Sequence, residues 1–157
     1  VARVPRGWGP DNGATSAELR LADAQSHKNP APMTEAYFNL GRYLFISSSR
    51  PGSLPANLQG LWADGFSPPW SAKYTININL PMNYWPAEIC GLGELTAPLF
   101  DYSQRLLPHA MRTASVAYGC RGACAHYTSN PWGHTALDGN LQYGMWPEGL
   151  AWLSLHF

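Results

Sequence analysis

Proline punctuates one stretch of this chain so densely that it limits what the rest can be. Pro51, Pro55, Pro68, Pro69 and Pro81 all fall between residues 51 and 81, and no helical period runs through that stretch. Each proline removes a backbone donor and holds φ near one value, so neither a long helix nor a central strand fits there. Trp62, Trp70 and Tyr74 stand between the prolines. A loop of this length inside a compact domain is uncommon and typically serves a function. The fold therefore has to come from the segments on either side.

Those segments read as helices. Residues 1–32 are irregular, with Pro5, Pro10, Pro30 and Pro32 and one short helical stretch, Ser16–Gln25. Met33, Ala36, Tyr37, Leu40, Tyr43 and Leu44 repeat at helical spacing, which predicts a helix over Met33–Ser49 with an apolar stripe. Tyr74–Leu80 alternates polar and apolar residues and predicts an extended segment. A short helix is expected over Met82–Leu92 and a long one over Thr96–Tyr118. In the latter, Thr96 is the N-cap, Pro98 lies in the first turn and Pro108 kinks the middle. Its buried face is expected to comprise Leu99, Phe100, Leu106, Leu107, Ala110 and Met111. Residues 119–145 form a second long loop holding Trp132, and Glu148–Phe157 begins another amphipathic helix with Leu150, Leu153 and Phe157. Strand signals are few. The class is mainly α, and helices joined by long aromatic loops suggest a toroid or solenoid. Because the chain stops inside an amphipathic element, further helices are expected beyond it.

Composition narrows the function. The 157 residues carry no net charge, and charged residues are only 13% of the chain. Without a basic field a nucleic-acid partner is not expected. No apolar run reaches the length of a membrane span, and VARVPRGWGP lacks the apolar centre of a signal peptide. Seven Trp, eight Tyr and five Phe accompany 15 Gly and 14 Pro. Aromatic-lined loops suit sugars, whose C–H faces lie flat on rings, although a Trp-rich core with tight turns fits equally well. Cys90, Cys120 and Cys124 do not form a redox pair or a zinc set. Free thiols or one local disulfide are expected, and no metal.

Asn77 and Asn79 form the sharpest candidate site. On one side of an extended segment, two carboxamide oxygens can accept hydrogen bonds from one water or one sugar hydroxyl. Equally, asparagines in loops often tie down backbone. Asp64, Glu88, Asp138 and Glu148 lie in or beside the aromatic loops, with Arg50, Lys73 and Arg121 as available partners. His126 and His134 read as hydrogen-bonded loop residues. No phosphate-binding glycine loop, GxSxG elbow or HExxH helix occurs.

The run Tyr37-Phe38, Gly41–Leu44 and Ile46–Trp62 resembles glycoside hydrolase family 95. So do Pro68-Pro69-Trp70, the segment from Asn77 through Glu88, Gly119–Gly122, Trp132-Gly133 with Thr135-Ala136, Trp146-Pro147 and Ala151–Leu153. The likeness covers about Met33 to Phe157 and is weak before that. It implies a partial (α/α)6 barrel over residues 33–157 and the activity of an inverting α-L-fucosidase on terminal α-1,2-linked fucose, some members acting on α-L-galactosides. The paired asparagines, which fall on Asn77 and Asn79, would hold the attacking water. The supporting aspartate and the glutamate acid would lie downstream of this stretch. Trp62, Trp70, Trp85, Trp132, His134 and Trp146 would line the sugar pocket. His134, Thr75, Glu148 and the run His126–Asn130 depart from the family pattern.

The resemblance implies a fucosylated oligosaccharide or glycan as partner, no cofactor, and an extracellular or periplasmic setting. A chain without the two carboxylates is expected to be inactive alone, and to pair with the rest of its barrel or with itself. A sugar-binding module or a degenerate remnant without catalysis is the alternative.

Overall fold

Helices carry the architecture of the computed structural model, which describes residues 21–22, 25–26 and 31–157. The expected irregular segment 1–32, with its helical stretch Ser16–Gln25, lies largely outside these residues. In chain order the helices are α1 (Ala31–Ser48), α2 (Asn79–Tyr84), α3 (Pro86–Ile89), α4 (Ala97–Tyr118), α5 (Leu141–Gly144) and α6 (Gly149–Leu153). Short 3-10 turns occupy Pro69–Ala72, Gly93–Thr96 and Ser154–His156. Two-residue strands β1 (Tyr74–Thr75) and β2 (Thr128–Ser129) pair antiparallel, Tyr74 opposite Ser129 and Thr75 opposite Thr128. The class is mainly helical, as the periodicity predicts. By compactness the chain divides into two units, Val1–Leu44 and Phe45–Phe157.

In the second unit α4 is the spine. Proline in its first turn has no donor to waste, and Gly119 closes it in the left-handed conformation at φ 62°. The Gly119 and Cys120 amides reach back to the carbonyls of Ser115 and Ala114. Thr96 occupies the N-cap position, as expected, but its side chain caps no amide of the helix. It stays in the preceding turn, and its hydroxyl donates to Gly93 O at 2.6 Å. Pro108 lies inside an unbroken helical run. The buried face is Leu99, Tyr102, Ser103, Leu106, Ala110, Thr113 and Ala114, while Leu107 and Met111 are exposed. The small and hydroxylated residues, not those two apolar ones, mark the inner side.

The core gathers Phe45, Tyr74, Ile76, Leu80, Tyr84, Leu92, Leu95, Leu99, Tyr102, Leu106 and Leu153. Burying each large aliphatic side chain here contributes on the order of 1.5–3 kcal/mol. The predicted stripe of α1 is a different matter. Tyr37, Leu40, Tyr43 and Leu44 are exposed, Tyr37 by 76%, and the helix buries only Phe45 and Ser48. Helical spacing identifies a face but not what covers it.

Two local predictions are corrected. The extended segment ends at Thr75, not Leu80, because the Ile76 and Asn77 amides both turn onto the Tyr127 carbonyl, at 2.7 and 3.2 Å. Two donors on one acceptor end the ladder, and α2 starts at Asn79. The helix expected over Met82–Leu92 is two short ones. Pro86 brings no donor, so Trp85 N–H bonds only to Met82 O at 3.3 Å and α3 begins anew.

Candidate functional site

A cavity of about 860 Å³ lies over β1 and is lined by residues of both long loops. Its walls include Trp70, Lys73, Thr75, Asn77, Asn79, Tyr127, Asp138 and Tyr143. That volume is in the upper part of the ~300–1,000 Å³ range of small-molecule sites.

Buried tyrosines hold up the neighbouring loops. Tyr74 donates from its hydroxyl to Pro55 O at 3.1 Å. The Tyr84 hydroxyl sits 2.7 Å from Ser49 Oγ and accepts from Ala56 N–H at 3.0 Å. The Tyr102 hydroxyl lies 2.6 Å from Ser129 Oγ and 2.7 Å from Asn130 O. Tyr74 and Tyr102 also pack ring to ring, 4.8 Å between centroids. Each ring therefore fills core while its polar tip satisfies loop groups that would otherwise be buried unpaired. Burial pushes the Tyr74 phenol up to about 12, helped by Tyr84 and opposed by Arg105. Burial also raises Tyr84 and Tyr102 above the usual phenol value, each against a hydrogen bond that lowers it.

The mouth is built otherwise. Trp70, Ser71 and Ala72 take φ of 57°, 59° and 49°, a left-handed turn without glycine. Each such residue costs about 1–2 kcal/mol. The surroundings hold it: Pro68 and Pro69 set the entry, Ser71 N–H bonds to Pro68 O at 3.0 Å, and Gln59 Nε2 donates to Pro69 O at 2.9 Å. Trp70 emerges 82% exposed. At the exit Lys73 Nζ stands 3.4 Å from Asp138 Oδ2 and 5.9 Å from the Tyr127 ring centroid, joining one loop to the other. Gly139, at φ 77°, passes close to the Tyr127 hydroxyl and the Tyr143 ring.

Asn77 and Asn79 are brought together here, one in the turn after β1 and the other opening α2. Other asparagines do the ordinary loop work. Asn83 donates to Ala56 O and Asn57 O, Asn57 accepts from Gln59 N–H, Asn130 from Trp132 and His134 N–H, and Asn140 from Gln142 N–H. Among the described residues, no such hydrogen bond engages the carboxamide of Asn77 or Asn79. Two amides facing a cavity with their capacity unspent can orient a water or a hydroxyl.

The remaining sequence candidates lie elsewhere. Trp62 packs its ring edge over Gly60, where a Cβ would come within 2.9 Å. Trp85 shares a groove with Glu88 and Trp152. Trp132 is 83% exposed. His134 lies beside His109 and Arg112 in another groove, its Nε2 buried and without a partner among the described residues. Trp146 packs against the core, edge-on to Trp152 at 6.5 Å. His126 is structural. The Thr135 carbonyl, 2.8 Å from Nδ1, can only accept, so Nδ1 carries a proton, while Nε2 lies 2.6 Å from the Tyr118 hydroxyl. The sequence offers Asp138 among four carboxylates and Lys73 among three cations; the structure pairs them. Tyr127 and Tyr143 carry no motif that would single them out.

Residues 7–157 match the model of the glycosyl hydrolase family 95 catalytic domain. This chain belongs to glycosyl hydrolase family 95. The match reaches back through most of the first 32 residues, where the sequence likeness is weak to the eye. The family 95 chain is 44% identical over 149 residues to a probable alpha-fucosidase A of Aspergillus niger, covering 94% of this chain and 19% of that protein. It is 43% identical over 144 residues to alpha-L-fucosidase 2 of Arabidopsis thaliana, covering 91% and 17%. A probable alpha-fucosidase A of Aspergillus oryzae is 50% identical over 99 residues, or 62% of this chain and 14% of that protein. This family 95 chain thus spans less than a fifth of the length of these relatives.

Proposed function

We propose that this chain supplies the water-positioning part of an inverting α-L-fucosidase active site, directed at terminal α-1,2-linked L-fucose of an oligosaccharide or glycan. In this reading residues 33–157 are one portion of an (α/α)6 toroid, and the rest of that toroid is the chain's first partner. Asn77 and Asn79 hold the attacking water. A carboxamide has little proton affinity, so its part is to fix where the water sits. Inversion also needs a carboxylic acid and a carboxylate base about 6.5–9.5 Å apart across the glycosidic bond. The carboxylate facing the cavity, Asp138, is engaged by Lys73. Acid and base therefore come from outside these 157 residues, and the chain alone binds sugar without cleaving it.

The observation that carries the reading is the pair of unengaged carboxamides in one cavity, in a chain whose relatives are named fucosidases. The test is to give the chain 2′-fucosyllactose and follow both binding and released fucose. Saturable binding without release is expected, weakened about tenfold in Asn77→Ala/Asn79→Ala, as two lost hydrogen bonds would do. Release of fucose that disappears in Asn77→Ala would overturn the division of labour. Absence of saturable binding would overturn the sugar site.

A further inference from the structure

Among the described residues, the non-glycine residues with positive φ are Trp70, Ser71 and Ala72, and they are consecutive. Strain of this kind persists only where surroundings over-determine it, and it concentrates at functional sites. Here the restraints are two prolines before the turn, the Gln59 amide on the Pro69 carbonyl, and the Lys73–Asp138 pair after it. What the strain achieves is visible in its product. A large apolar ring stands in solvent at the mouth of the cavity, where free-energy gain from burial would otherwise draw it inward.

We infer that the left-handed turn holds Trp70 as a stacking platform for a second pyranose ring, the one bonded to the sugar that meets Asn77 and Asn79. This rests on the function proposed above. Lys73–Thr75 is extended chain between the turn and Asn77, about 10 Å at ~3.3 Å per residue. That span is more than the width of one pyranose, and the cavity of about 860 Å³ has room for more than one ring. An aromatic face accepts the C–H side of a sugar and makes few demands on which hydroxyls it carries. Trp70 therefore sets a preference for oligosaccharide over free monosaccharide.

The experiment compares binding of 2′-fucosyllactose and of L-fucose by the chain and its variants. Trp70→Ala is expected to weaken the trisaccharide about tenfold and to leave L-fucose within twofold, while Trp70→Phe keeps most of the trisaccharide affinity. Ser71→Gly removes strain. It is expected to raise Tm by about 2–4 °C and yet weaken the trisaccharide, because the ring is no longer held. Equal loss of both ligands in Trp70→Ala would place Trp70 at the terminal sugar and overturn the inference while leaving the proposed function standing. No loss of either would do the same. A wild-type chain that binds neither sugar would overturn the proposed function and this inference with it.

Discussion

Tyr74 and Trp70 are four residues apart and live under opposite conditions. Tyr74 is buried, takes ordinary strand backbone, and spends its hydroxyl on the Pro55 carbonyl. Trp70 is exposed, takes left-handed backbone, and rests on a turn braced from outside. Under the cavity every device lowers the energy of the fold: rings packed together, phenols partnered, loops tied to α4. At the mouth the backbone is raised in energy and the surroundings bear it. Burial and exposure, relaxed and raised backbone, are thus allotted to neighbouring stretches of one loop.

The sharpest way to break this contrast is Leu99→Ala, in the core. Leu99 is fully buried on the inner face of α4, so a loss of about 2–5 kcal/mol is expected in urea unfolding. A loss below about 1 kcal/mol would show that the core is not where the stability resides.

Next comes pH. The Tyr74 phenol is raised to about 12 in the fold against 10.0 in its ordinary state, so folding favours the protonated form. Its contribution is complete below pH 10 and is lost as pH climbs through 12. A rise of this size corresponds to roughly 3 kcal/mol. Denaturation midpoints measured from pH 9 to 12 should fall together with the rise of phenolate absorbance. Flat stability across that range would mean the phenol is not confined.

The smallest effect belongs to the mouth. Lys73 and Asp138 are part-exposed, and Lys73→Met is expected to change unfolding free energy by less than about 1 kcal/mol, with the difference fading in salt. A cost of several kcal/mol would make the mouth as structural as the core beneath it.

Much of this was legible in the sequence, for particular reasons. The spans of α1 and α4 follow from apolar period bounded by proline and glycine, signals that act within one turn of chain. Asn77 and Asn79 stand out because short alternation is a local pattern too. What lies between elements was hidden. Nothing near Thr75 announces that the Tyr127 carbonyl will end the strand, since the acceptor comes from a loop some fifty residues away. Leu107 and Met111 look like core until the wall that α4 packs against is known to favour Tyr102, Ser103 and Thr113. Positive φ at Trp70 was equally invisible, because tryptophan, serine and alanine are not the residues that usually take it.

The Tyr127 carbonyl that receives both the Ile76 and Asn77 amides has one more consequence. It belongs to the main chain, so the place of Asn77 depends on counting residues and not on what side chain stands at 127. Substitution there can remodel the cavity wall and leave the asparagine where it is. A single residue added or removed between β2 and Ala125 would instead shift the acceptor and carry Asn77 away with it. In this part of the molecule, loop length is the inherited quantity and loop spelling the adjustable one.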